Sequence, residues 1–243
     1  MSAAPKRALV TGGSGSLGAA ICRRLGAAGH FVYVHANRRH EEAHAVARSI
    51  MDAGGQAKAV AFDVTDTETA RTVLQELVDE APIQILVNSA GVHDDAAFPG
   101  MSVQQWRRVL DVSINGFYNV TQPLMLPMIR TRWGRVISLS SVTALIGNRG
   151  QVNYAAAKGA LNAATKSLSL ELASRGITVN AVAPGIISSM MSDSVFDPVA
   201  IADLVPMKRA GTADEVASLV AYLASPEAGY ITGQVISISG GLA

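Results

Sequence analysis

Residues 8–18 read Ala8-Leu9-Val10-Thr11-Gly12-Gly13-Ser14-Gly15-Ser16-Leu17-Gly18. A short apolar run leads into a glycine-rich turn, and an apolar helical segment leads out of it. In that context glycines let the backbone approach a pyrophosphate, whose charge is met by the helix N-terminus. The same alternation continues outward along the chain. Strand candidates fall at Ala8-Leu9-Val10, Phe31-Val32-Tyr33-Val34, Ala57 to Phe62, Ile85-Leu86-Val87, Val136 to Leu139, Ile177-Thr178-Val179 and Val235-Ile236-Ser237-Ile238. They are apolar nearly throughout, as strands covered on both faces are. Helices are expected at about 17–28, 40–53, 67–80, 101–131, 152–175 and 212–224. Such alternation predicts a parallel sheet with right-handed crossovers. The expectation is one α/β domain over residues 1–243, a doubly wound parallel sheet of about seven strands with helices on both faces.

The chain has 243 residues, 49% of them hydrophobic, enough for one large core. Its 20 Lys+Arg nearly balance 19 Asp+Glu, which gives no general attraction to nucleic acid. Cys22 is the sole cysteine, so no internal disulfide forms; it reads as a small buried apolar residue. No apolar run approaches the ~18–20 residues of a membrane-spanning helix, and residues 1–7 do not read as a signal peptide. The expected location is the cytoplasm, and no metal site is expected. The long irregular stretch Ile186 to Gly211 holds Met190, Met191, Phe196, Pro198 and Met207. Its length, and its place on the ligand-binding side of such a sheet, predict a substrate lid.

Tyr154-Ala155-Ala156-Ala157-Lys158 puts a phenol and an ammonium one above the other on a helix face. Ser141 lies thirteen residues before Tyr154, at the end of the apolar run 136–139. Carbonyl reduction needs a hydride donor and an acid for the developing alkoxide. A free phenol, with pKa near ~10, is poorly matched to neutral pH; an adjacent ammonium would lower it.

Together with the glycine turn, these residues resemble the short-chain dehydrogenase/reductase family over nearly the whole chain. The resemblance implies a Rossmann-type fold. It implies that Tyr154 is the acid, that Lys158 also binds the nicotinamide ribose, and that Ser141 orients the substrate carbonyl. The family pattern T-G-x-x-x-G-x-G, begun at Thr11, matches Gly12 and Gly18 and puts Ser16 at its middle glycine. Cofactor contacts are thereby implied at Gly12, Ser14, Gly15, Ser16, Leu17 and Gly18. Asp63 and Val64 match the adenine region. Asn88-Ser89-Ala90-Gly91 resembles the N-N-A-G turn, with Ala90 and Gly91 close to the cofactor and Asn88 tying neighbouring strands. Pro184-Gly185 matches the turn beside the nicotinamide. Ile187 and Ser189 follow it, without the acid of the family's I-x-T-D-M. The pattern N-x-x-G-x-x-x-V places Ser113 where the family has a proton-relay asparagine. Asn115, two residues on, lies about 200° round the helix.

The second strand ends in His35-Ala36-Asn37-Arg38-Arg39. It lacks the carboxylate that holds ribose hydroxyls in NAD sites, and its guanidinium groups suit a 2′-phosphate. NADPH is therefore expected. Many NADPH-using relatives carry an arginine in the glycine turn where Gly15 stands here. The phosphate is left to Asn37, Arg38 and Arg39.

Within the family, the runs 147–154, 173–185 and 230–234 are similar to 3-oxoacyl-[acyl-carrier-protein] reductases. That likeness implies an acyl carrier protein partner, docked on Arg132 and Arg175 near the site mouth. It also implies a homotetramer built on the helices about 101–131 and 152–175 and on the C-terminal segment. Residues 116–119 and 127–129 resemble ketoreductases of aryl-polyene pigment pathways. Ser16 and Ser113 depart from the family pattern. Two other readings stay open: a dehydrogenase/reductase of a free secondary alcohol or ketone, and a non-catalytic cofactor-binding subunit.

Overall fold

The chain folds as alternating strands and helices in the computed structural model, which describes residues 5–188 and 198–243. The strands are β1 (Arg7–Val10), β2 (Phe31–Ala36), β3 (Gln56–Ala61), β4 (Ile83–Asn88), β5 (Gly134–Leu139), β6 (Ile177–Pro184) and β7 (Val235–Ile238). They form one sheet in the order β3-β2-β1-β4-β5-β6-β7, and every neighbouring pair is parallel. The helices are α1 (Ser16–Ala27), α2 (His40–Asp52), α3 (Thr67–Glu80), α4 (Val103–Leu110), α5 (Gly116–Thr131), α6 (Thr143–Ile146), α7 (Val152–Leu172), α8 (Pro198–Leu204) and α9 (Ala213–Ala224).

The apolar strands serve two cores because successive side chains point to opposite faces. Val10, Val34, Val87, Ile137 and Val182 pack on one side with Ile21 and Leu25 of α1, Ile50 of α2 and Val220 of α9. Leu9, Tyr33, Leu86, Val136 and Val179 pack on the other with Leu74 of α3, Leu124 of α5 and Leu172 of α7. The expected layered, doubly wound sheet is therefore present.

Several boundaries differ from the sequence expectation for identifiable reasons. Strand β6 runs to Pro184, five residues past the expected end. The polar residue that suggested a stop, Asn180, is fully satisfied: its Nδ2 donates to the Ile231 carbonyl and its Oδ1 accepts from the Gln234 amide. The helix expected at 101–131 is interrupted. A capping box between Ser102 and Gln105 starts α4, and a π turn at Asp111–Asn115 separates it from α5. Gly116 follows that turn where any Cβ would press on Val64. Helix α7 stops at Leu172, and a 3-10 turn, Ala173–Arg175, leads to Gly176 at φ +74°.

The stretch 186–211 is more structured than a single irregular loop. Ile187 bridges Gly211, α8 lies within the stretch, and the Met207 amide donates to the Gly240 carbonyl at 3.0 Å. Ser189, Met190, Met191 and Phe196 lie outside the described residues. Among the described residues, no helix is long and apolar enough to cross a membrane.

Candidate active site

The strand order reverses direction between β1 and β4, and such a reversal opens a crevice beyond the strand ends. The glycine turn sits at that point. Gly12 is at φ +66°, and any Cβ at Gly18 would overlap the Gly12 carbonyl, so both positions require glycine. Gly15 is the N-cap of α1, and no side chain caps it. The first-turn amides therefore lack a side-chain acceptor, which makes an anion site. Ser16 takes the first helical position, is exposed, and needs no glycine-only backbone there. Leu17 packs on the α1-side core.

Thr11 joins the two strand ends: its Oγ1 accepts from the Ser89 and Ala90 amides, both at 3.0 Å. The tie expected of Asn88 is different in kind. Its Nδ2 donates to Thr121 Oγ1 at 3.1 Å, so it fastens β4 to α5 rather than strand to strand.

Beyond the turn lies a cleft of about 710 Å³. Gly12, Ser14, Asn37, Arg38, Asp63, Val64, Ala90 and Gly91, all candidates from the sequence, line it. The Asn37 Nδ2 donates to Asp63 Oδ2 at 2.8 Å, so this amide is already engaged. Burial raises the pKa of Asp63, but the Thr65 amide and hydroxyl, Asn37 and Arg38 outweigh it and leave the carboxyl below its ordinary value. Arg39 also lines the cleft, and its Nη2 lies 3.8 Å from where a Cβ on Gly15 would stand. A guanidinium from the β2 side thus covers the turn position that lacks an arginine.

His35, Arg108 and Asp111 are among the lining residues to which the sequence reading gave no role. His35 is buried beneath the turn. Its Nδ1 accepts from the Gly12 amide at 3.1 Å, and its Nε2 lies 2.9 Å from the Phe62 carbonyl. Burial is the main cause that lowers its pKa, to about 4, so the ring is neutral at pH 7. The left-handed glycine, the uncapped helix start and the basic rim together fit a phosphate-bearing dinucleotide.

At the C-terminal end of β5, the structure brings Ser141, Tyr154 and Lys158 together. Ser141 stands beside the Tyr154 phenol and favours its ionised form. The Ser141 Oγ accepts from the Thr143 amide at 3.1 Å. The Lys158 Nζ lies 5.6 Å from the Tyr154 ring centroid and donates to the Leu139 carbonyl at 2.7 Å. It also stands 3.4 Å from where a Cβ on Gly91 would lie, so the ammonium links this trio to the dinucleotide cleft. Burial lowers its pKa to about 8.

The expected depression of the Tyr154 pKa is not found. Burial pushes the phenol up to about 12, Ser141 pulls it down, and the Asp95 charge raises it further. Lys158 spends its shortest contact on a backbone carbonyl rather than on the phenol. Tyr154 therefore keeps its proton at neutral pH.

Pro184 and Gly185 close the far side: the Val142 amide donates to the Pro184 carbonyl, and the Gly185 amide to that of Ile238. Ser189 falls outside the described residues.

Ser113 lies in the π turn with its Oγ buried and without a protein partner. It faces a cavity of about 10 Å³, shared with Thr11, Asn88 and Leu161, near the size that holds one water. Asn115 is exposed and donates to Asp111 at 2.7 Å.

Arg132 and Arg175 are not beside the cleft of their own chain. They precede β5 and β6, whereas Ser141 follows β5, so they lie at the opposite end of the sheet. Both are exposed, and Arg132 Nη2 lies 3.5 Å from the Ser174 carbonyl.

A family model described as enoyl-(acyl carrier protein) reductase matches residues 12–243. With that match and the relatives below, the chain belongs to the short-chain dehydrogenase/reductase family of oxidoreductases. It is 43% identical to the 3-oxoacyl-[acyl-carrier-protein] reductase of Aggregatibacter actinomycetemcomitans, over 96% of this chain and 98% of that protein. The corresponding reductase of Staphylococcus aureus (strain Mu50) is 40% identical, over 98% of each chain. Nodulation protein G of Rhizobium sp. (strain N33) is 42% identical, over 98% of this chain and 97% of that protein.

Proposed function

We propose that the protein reduces a 3-oxoacyl thioester carried by acyl carrier protein to the 3-hydroxyacyl thioester, with NADPH as reductant. The observation that carries this reading is the Ser141–Tyr154–Lys158 trio, joined through Gly91 to a cleft rimmed by arginines. The names of the relatives support the substrate class.

Gly12, Gly18 and the uncapped start of α1 would hold the pyrophosphate, and Asp63 and Val64 the adenine side. Arg38 and Arg39 would grip the 2′-phosphate; a carboxylate in their place would repel it. The nicotinamide, when bound beside Pro184 and Gly185, supplies the hydride to the keto carbon. Ser141 orients the keto oxygen by a hydrogen bond. The Tyr154 hydroxyl gives its proton to the oxygen as negative charge develops there. Because burial holds that proton on the phenol at pH 7, the resting residue is already an acid. Lys158 would hold the ribose and place a positive charge behind the phenolate left after transfer. The proton is then restored to Tyr154 from solvent, and the buried Ser113 hydroxyl is the candidate for that path.

The carrier would dock on Arg132 and Arg175. Since both lie at the far end of their own sheet, they would serve the cleft of another subunit in a tetramer. The test is NADPH oxidation with 3-oxoacyl thioesters, on carrier protein and on a small thiol, against simple ketones. Turnover of thioesters well above that of ketones supports the reading; the reverse supports a free-ketone reductase.

A further inference from the structure

The imidazole of His93 lies against the phenol of Tyr154, with ring centroids 4.2 Å apart and planes 28° apart. The steps above give it no part. His93 stands two residues past Gly91 in the segment after β4, and its side away from Tyr154 is exposed. This segment is fastened to the start of α7 next to the ring pair, by residues 94–96 just after His93 and 150–153 just before Tyr154. The Asn153 Nδ2 donates to the Asp94 carbonyl at 2.9 Å, Gln151 Nε2 to Asp95 Oδ2 at 2.7 Å, and the Ala96 amide to the Gly150 carbonyl at 2.9 Å. The stack therefore joins two anchored pieces of backbone.

We propose that His93 is a positioning residue for Tyr154: its imidazole covers one face of the phenol, excludes water there and keeps the hydroxyl directed at Ser141. The proposal rests on the reading of Tyr154 as the acid. A tyrosine side chain swings on two torsions, and a misplaced acid loses rate steeply. Packing a ring on one face of the phenol removes that swing while leaving the hydroxyl edge open to substrate.

The charges around His93 suit a neutral ring. Asp95 stands on its own segment, Lys158 on α7, and Asp94 is paired with Arg108 of α4 at 3.2 Å. Burial lowers the imidazole's pKa, Asp95 raises it and the Lys158 ammonium lowers it, with a net value below the ordinary 6.5. At pH 7 the stacked ring carries no charge that would draw the proton off Tyr154.

The experiment uses the full chain with NADPH, comparing the parent with His93→Ala and His93→Phe. Carbon-labelled tyrosine, assigned through Tyr154→Phe, reports the Tyr154 ring by NMR without any substrate. The parent signal should titrate with a midpoint below 6.5 as His93 protonates, and His93→Phe should abolish that response. With a 3-oxoacyl thioester, His93→Ala should lose about tenfold in kcat with KM changed less than about twofold, and His93→Phe should recover most of the loss. A Tyr154 signal indifferent to His93 overturns the proposal. So does a His93→Ala enzyme as fast as the parent, or equal impairment of both variants. If the parent reduces no thioester but the NMR coupling is present, the ring placement stands and the assigned reaction is what fails.

Discussion

The Gly12 amide donates to His35 Nδ1 at 3.1 Å, so a buried imidazole supports the first glycine of the phosphate turn from below. The contact ties the end of β2 to the end of β1, and the Phe62 carbonyl holds the other ring nitrogen. A proton on His35 would have to displace the Gly12 hydrogen bond. Because the folded-state pKa is depressed to about 4 from 6.5, the unfolded chain binds more protons between those values. Stability should be full above pH 6.5 and fall as pH drops toward 4, with up to about 3 kcal/mol from this group. Denaturant titrations of the parent across that range should show the loss. His35→Asn should be less stable at pH 7 but flatter with pH; equal slopes in both proteins would refute the assignment.

Tyr154→Phe keeps the ring and its stack on His93 but removes the proton. It should lower kcat by roughly 10²–10⁴-fold, the range of a lost general acid. NADPH affinity, read by fluorescence titration, should stay within a few-fold, because the phenol is not part of the phosphate-binding turn. Activity close to that of the parent would remove Tyr154 from the reaction.

The β1–turn–α1 unit was legible because the apolar run, the crowded glycines and the helix signal all agree. The seven strands followed from their short apolar runs between helical stretches. The π turn at Asp111–Asn115 was not legible, since residues 101–131 keep one apolar pattern through α4 and α5. The end of β6 was missed because Asn180 looks like a breaker until its partners Ile231 and Gln234, about fifty residues away, are known. His35 and His93 are single histidines, and only packing across elements gives them meaning. The far-side location of Arg132 and Arg175 did have a usable signal. Both precede strands, and in a parallel sheet the ligand crevice lies beyond the opposite ends.

NADPH should be preferred over NADH, and Arg38→Ala should erode the preference by about tenfold or more in kcat/KM for NADPH, with little change for NADH. Arg39→Ala should act in the same direction, because its guanidinium stands over Gly15. Asn37 already bonds Asp63, so Asn37→Ala should act mainly through the adenine side and weaken both cofactors together. A parent enzyme with equal kcat/KM for NADPH and NADH would overturn this reading of the cleft.

The carrier protein supplies the last test. Carrier proteins are typically acidic, and a basic rim steers such a partner to its site with a rate that salt screens. Arg132 and Arg175 are exposed, and the geometry of one chain puts them away from Ser141. Reversing both to Glu should raise KM for a carrier-bound thioester by about tenfold at low salt and leave a small-thiol thioester almost unchanged. The difference should shrink as salt is added. Light scattering belongs in the same experiment, because the arginines can reach a cleft only across a subunit boundary. A parent mass near 25.3 kDa would rule out that route. Equal loss on both substrates would mean that the substitutions disturb the fold around Gly176 rather than docking. No loss on either would assign the carrier to a different surface.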